Sequence, residues 1–204
     1  LIMCFLRHLD KESAVETLIQ ALPYKKWITA VGLDSSERGN PPSKFEHVFS
    51  KAIDEGFITV AHAGEEGPAD YIWEAVNLLK VSRIDHGIRS LDDDQLIKFL
   101  AEKQIPLTIC PLSNIELKVV DDLKNHPLLE LMEAGLMVTI NSDDPAYFGG
   151  YMNENYSRIA SALKLSKKQI TELTINSFKS SFLPNSDKEK MIRKIEEYYQ
   201  KNNN

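Results

Sequence analysis

What this sequence has little of narrows its class before any motif is read. Cys4 and Cys110 are its only cysteines. They lie far apart inside apolar runs, which favours two reduced, buried thiols in a cytosolic protein over a disulfide scaffold. No apolar run approaches the roughly 20 residues needed to cross a bilayer. Positive charge is scarce: the net charge is −6, and no Lys/Arg block carries interleaved aromatics, so a nucleic-acid partner is not expected. Neither a G-x-G-x-x-G fingerprint nor a P-loop occurs, which argues against a dinucleotide or nucleotide-triphosphate fold. There is no initiating methionine either. Leu1 leads directly into the apolar run Ile2–Leu6, with no basic leader and no small-residue cleavage site. The chain therefore reads as a fragment that begins inside a strand.

What is present is that of an ordinary globular protein, 43% hydrophobic and 26% charged over 204 residues, enough to bury one substantial core. Six apolar, strand-like runs recur: Ile2–Leu6, Ile28–Leu33, Phe57–Ala61, Val81–Asp85, Ile105–Cys110 and Leu136–Ile140. Helical segments separate them. Asp10 is placed to cap the first, which should stop at Pro23; Ser43-x-x-Glu46 and Ser90-x-x-Asp93 read as capping boxes for the second and fourth. Residues 69–79 make the third, and His126-Pro127 opens a short fifth. After Pro145 only helices are expected, over residues 153–163, 166–182 and 186–201, with Asn202 to Asn204 fraying. Asn155-Tyr156-Ser157 matches a glycosylation sequon, a pattern frequent by chance.

Strand–helix alternation with strands apolar on both faces calls for a parallel sheet covered by helices. Six such units without a Gly-rich phosphate loop point to a (β/α) barrel rather than a Rossmann sheet. The expectation is one α/β domain over residues 1–204, a TIM (β/α)8 barrel that is incomplete, with a helical cap from about residue 151.

In such a barrel the C-terminal strand ends meet at one mouth. His62, Glu65, His86, Asp143 and Asp144 all stand at predicted strand ends, with Asp34 at the end of the second. Each alone would be an ordinary structural histidine or turn carboxylate. Together they make a candidate site. Imidazole and carboxylate donors suit Zn²⁺, with Fe²⁺ or Mn²⁺ as alternatives. His62 and Asp143 supply two ligands where a catalytic zinc takes at least three from the protein. His8 is a third candidate, weighed evenly against a surface role. His47, inside a helix, and His126, at the start of one, read as structural.

Four motifs in order, His62-Ala63-Gly64-Glu65, Asp85-His86-Gly87, Cys110-Pro111-Leu112-Ser113-Asn114 and Asn141-Ser142-Asp143-Asp144-Pro145, resemble the adenosine/adenine deaminase family of the amidohydrolase superfamily. The stretches at residues 32–37 and 41–45 are similar to the adenine deaminase branch, with Asn40 standing where that branch has histidine. The resemblance implies a cytoplasmic purine-salvage hydrolase with one zinc per site, converting adenine to hypoxanthine and ammonia. Adenosine deamination, and a non-catalytic purine-binding protein on the same fold, are the alternatives. A small-molecule purine is then the partner, and an oligomer is compatible with the sequence.

By resemblance, His62 and Asp143 are zinc ligands, and Glu65 protonates the purine ring nitrogen beside the attacked carbon. His86 is the base that orients and deprotonates the attacking water, and Asp144 bonds N7. Gly64 and Gly32 are expected to let the backbone approach a flat ring. The family's first strand ends in a His-x-His pair that completes the zinc site. No such pair occurs here, so the chain is expected to hold the third to eighth strands and to be inactive in isolation.

Overall fold

Each of the six apolar runs becomes a strand in the computed structural model, which describes residues 1–202. The remaining Asn203 and Asn204, part of the expected fraying end, lie outside the described residues. The chain divides into two compact units, Leu1–Leu107 and Thr108–Asn204.

The first unit holds β1 (Ile2–Leu6), β2 (Ala30–Asp34), β3 (Ile58–Ala63) and β4 (Arg83–His86), parallel and paired in chain order. Pairing places Leu6 beside Asp34 and Ala63 beside His86, so the chemistry-bearing ends lie along one edge. Helices α1 (Lys11–Ala21), α2 (Glu46–Asp54), α3 (Ala69–Asn77) and α4 (Asp94–Lys103) alternate with them. Burial on both faces of β2, with Ala30 to Leu33 all enclosed, follows from that helical cover. Phe5 meets Phe49 of α2 edge-on at 5.6 Å between ring centroids, joining sheet to helix.

Local capping differs from expectation at two helices. Asp10 caps α1 as predicted, accepting from Ser13 N. At α2, however, the Pro41-Pro42 pair leads into a 3₁₀ turn, Pro42–Phe45, and Ser43 N donates to Glu74 Oε2 instead of opening a capping box. At α4 the cap is Asp93, which accepts from Gln95 N and Leu96 N, while Ser90 is buried in the preceding turn. The carboxylate outcompetes the hydroxyl because an ionised acceptor bonds the free N–H groups more strongly. Past Ala21 the chain continues as a 3₁₀ turn, Leu22–Trp27, because Pro23 lacks the N–H that a longer α-helix would need.

β5 (Leu107–Ile109) crosses the boundary between the units. The second unit carries β6 (Val138–Ile140), whose neighbour Asn141 donates its backbone N–H to Ile109 O at 2.8 Å. Its helices are α5 (Pro111–Glu116), α6 (Leu128–Glu133), α7 (Pro145–Phe148), α8 (Met152–Leu163), α9 (Lys167–Lys179) and α10 (Asn185–Lys201). α9 opens with a complete capping box between Ser166 and Gln169. The sequon Asn155 is fully buried and its side chain bonds Leu112 N, Gly150 O and Tyr151 O, so the fold leaves it no room for a glycan. Among the described residues, no helix is long and apolar enough to cross a membrane.

Candidate active site

β3 delivers His62, then turns at Gly64, whose φ of +72° and closeness to Ile72 leave no room for a side chain. An added Cβ would lie 2.7 Å from Ile72 Cγ1. The glycine thus serves the turn that carries Glu65 inward, where only 8% of its surface stays exposed. β4 ends on His86, itself in the left-handed region at φ +69° and followed by Gly87 at +78°. Such a conformation in a non-glycine residue is costly and clusters at functional sites. It aims the imidazole at its two counterparts.

His62 and His86 meet edge to face, ring centroids 4.7 Å apart and planes at 86°. His86 Nδ1 lies 3.1 Å from Glu65 Oε1, a close polar contact that falls short of hydrogen-bond geometry. Burial drives the His86 pKa down to about 4, against a smaller upward pull from Asp85. The ring is therefore neutral at pH 7 and able to accept a proton. Asp85 is itself paired with Arg83 at 3.1 Å.

Asp34 ends β2 with one buried carboxylate oxygen, Oδ1, lacking a hydrogen-bond partner. Desolvation raises its pKa, and the positive potentials of His62, His8 and Arg7 offset part of that. Beside it, burial, then the carboxylates of Asp34 and Asp85, push the Cys4 thiol up to about 12. Gly32 is explained by that thiol: an added Cβ would stand 2.6 Å from Cys4 Sγ and 3.2 Å from Val60 Cγ2. His8 is exposed, its Nδ1 2.6 Å from Ser35 Oγ.

In the second unit, Asp143 and Asp144 follow β6 and are both exposed; Asp143 takes φ +55°. Asp144 O receives the N–H groups of Tyr147 and Phe148, starting α7. His126 is buried and structural: Leu128 N donates to its Nδ1 at 3.1 Å, and Nε2 faces Asn114 Oδ1 at 3.2 Å. Burial lowers its pKa to about 4. His47 lies on the exposed face of α2.

Sequence reasoning missed Arg7 and Glu37. Arg7, the neighbour of His8, is fully buried, and Glu37 is 2% exposed. Nothing in the sequence pointed to this, because single charged residues carry no signal of burial.

These parallel strand–helix units, with His62 and Glu65 at the end of β3 and His86 at the end of β4, have the α/β architecture of a (β/α) barrel, and the chain belongs to the adenosine deaminase family, whose sequence pattern matches residues 1–198. Among its relatives is the adenine deaminase of Crocosphaera subtropica, 62% identical over 94% of this chain and 59% of that protein. The crystal structure of the adenine deaminase from Arthrobacter aurescens is 46% identical with a TM-score of 0.95, over 98% of this chain and 61% of that one. An amidohydrolase from Burkholderia ambifaria with bound zinc, 24% identical, shares the fold at a TM-score of 0.91 over 98% of this chain and 56% of its own. The chain spans about 60% of the length of the curated relatives it matches. Its α/β fold, with the strand–helix order of a (β/α) barrel, is theirs.

Proposed function

We propose that this chain is the C-terminal part of a single-domain, zinc-dependent adenine deaminase, converting adenine to hypoxanthine and ammonia. The observation that carries the reading is the buried neutral His86 in contact with Glu65 and His62 at adjoining strand ends. The high identity to adenine deaminases supports adenine over adenosine as substrate.

By resemblance, His62 would contribute an imidazole and Asp143 a carboxylate, donor types that suit a borderline metal. When bound there, Zn²⁺ supplies a water acidic enough to act at neutral pH. His86, uncharged at pH 7, would orient the attacking water and take its proton. Glu65, in its protonated form, donates to the ring nitrogen beside C6 as oxygen adds to C6. The proton held by His86 would then pass to the exocyclic amine and the new C6 hydroxyl would return a proton to Glu65, so that the C6–N bond breaks, hypoxanthine forms and ammonia leaves. That role requires Glu65 to be protonated at working pH. Asp144 would bond N7. A reduced pair of cysteines accords with a cytoplasmic setting.

The test is to purify the full-length protein, measure its zinc content and follow adenine and adenosine by ultraviolet absorbance. Zinc-loaded protein that turns over adenine faster than adenosine is expected. Zinc-loaded protein that deaminates neither purine would overturn the proposal.

A further inference from the structure

We infer that Arg7 and Glu37 are positioning residues, a buried charge pair that holds the backbone between the metal-binding and proton-donating side chains. This rests on the roles proposed above for His62 and Glu65.

The two residues grip opposite ends of one short segment. Arg7 Nη1 donates to His62 O at 2.7 Å, and its Nε donates to Asn40 O at 2.8 Å. Glu37 Oε2 accepts from Glu65 N at 3.3 Å and from Gly67 N at close range. The turn after β3 thus wraps its N–H groups around one carboxylate, a concave arrangement suited to an anion. Gly67 makes the wrap feasible, since an added Cβ there would lie 2.5 Å from Glu37 Oε2 and equally close to Tyr71 Cδ2. Tyr71 also covers the Arg7 guanidinium, 5.7 Å from ring centre to Cζ.

The pair is built for orientation more than for stability. Arg7 Nη1 and Glu37 Oε1 are 3.8 Å apart, too far for a hydrogen bond, and each residue keeps one buried polar atom without a partner, Nη2 and Oε1. Two charges buried in this way gain little over apolar side chains of similar volume, because desolvation consumes the attraction. Both groups instead direct their remaining bonds onto backbone atoms of the His62–Gly67 segment. The Asn40 departure from the related branch is accommodated here, because Arg7 uses the Asn40 carbonyl, and the Asn40 side chain accepts from Lys44 Nζ.

Glu37→Gln and Arg7→Lys, made in the full-length protein, test the inference. Each keeps size and some bonding while weakening the charge-assisted contacts, which are roughly twice as strong as neutral ones. Amide hydrogen exchange at Glu65 and Gly67 is expected to accelerate about tenfold or more while α1 and α2 stay protected. The turnover number per zinc-loaded molecule should fall about 10- to 100-fold, the scale of a 1 Å misplacement. Hypoxanthine affinity, read by calorimetry, should stay within about threefold, because ground-state binding does not need the aligned donor.

A merely structural role would lower the melting temperature with local exchange and per-zinc turnover both within twofold of wild type; that result in both variants overturns the inference. If one variant fails to fold, the other decides. The exchange measurement stands whether or not the wild type deaminates purines, so loss of the functional reading and loss of this one are separable.

Discussion

The carbonyl of His62 is held at 2.7 Å by Arg7, a residue 55 positions earlier and wholly buried, so the backbone of the motif is tied to the residue that follows the first strand. The imidazole of His62 is left to face His86 while its backbone is anchored behind. That division of labour frames the expectations below.

Glu65→Gln in the full-length protein should leave the fold and zinc content intact and reduce adenine turnover by about 10²- to 10⁴-fold, the usual contribution of a positioned proton donor. Gln fills the same volume and cannot supply the proton. Parallel zinc assay and absorbance kinetics check it; undiminished turnover would remove Glu65 from the donor role.

Stability should fall as pH drops from 6.5 toward 4. His126 is buried neutral with its pKa depressed to about 4, so the unfolded chain, titrating near 6.5, binds the extra proton first. Its contribution is complete above the unfolded value and is lost as pH descends through that window, reaching about 2–3 kcal/mol near pH 4.5. His86 acts in the same direction. Urea unfolding of wild type and His126→Asn from pH 7.5 to 4.5 should show a flatter profile for the variant. Identical slopes would contradict the assignment.

Gly64→Ala should be strongly destabilising for two separable reasons. Placing alanine at φ +72° costs about 1 kcal/mol, and forcing its methyl into Ile72 adds about 1–3 kcal/mol of overpacking. Ile72→Val removes the Cδ1 methyl that the new Cβ would strike. A double-mutant cycle by chemical unfolding should therefore recover part of the steric cost and none of the backbone cost. Strict additivity would show that the clash is relieved elsewhere.

The Cys4 thiol should resist alkylation in the folded protein. With its pKa pushed up to about 12, the reactive thiolate is negligible at pH 8. Mass spectrometry after iodoacetamide treatment should find Cys4 unmodified in native protein and labelled after denaturation. Asp34→Asn, which removes a carboxylate raising that pKa, should accelerate native labelling modestly. Labelling of native wild type at the rate of a free thiol would refute the shift.

Much of this was legible in the chain. Apolar residues mark most of the strands, the fully covered β2 above all, whereas β1 is partly exposed and β4 holds only Ile84 as an apolar residue. Helix starts were less so at Ser43 and Ser90, where neighbouring prolines and a stronger acceptor, Asp93, outweighed the local pattern. Helix α5 was missed entirely: it is six residues long, too short for a helical periodicity to show in the sequence. Gly32 shows another limit: its sequence context suggests room for a ligand, whereas the space above it is occupied by Cys4.

By itself, then, the sequence determined the strand–helix order, the strand-end placement of His62, Glu65, His86, Asp143 and Asp144, and the family, because periodicity and motif spacing are local properties. Only the tertiary structure decided which charges are buried. Arg7 and Glu37 look like surface residues in a string of letters, and become the clamp behind His62 and Glu65 only when β1, β2 and β3 lie side by side. The neutral state of His86 was decided the same way, since desolvation depends on what packs around a ring and not on its neighbours in the chain.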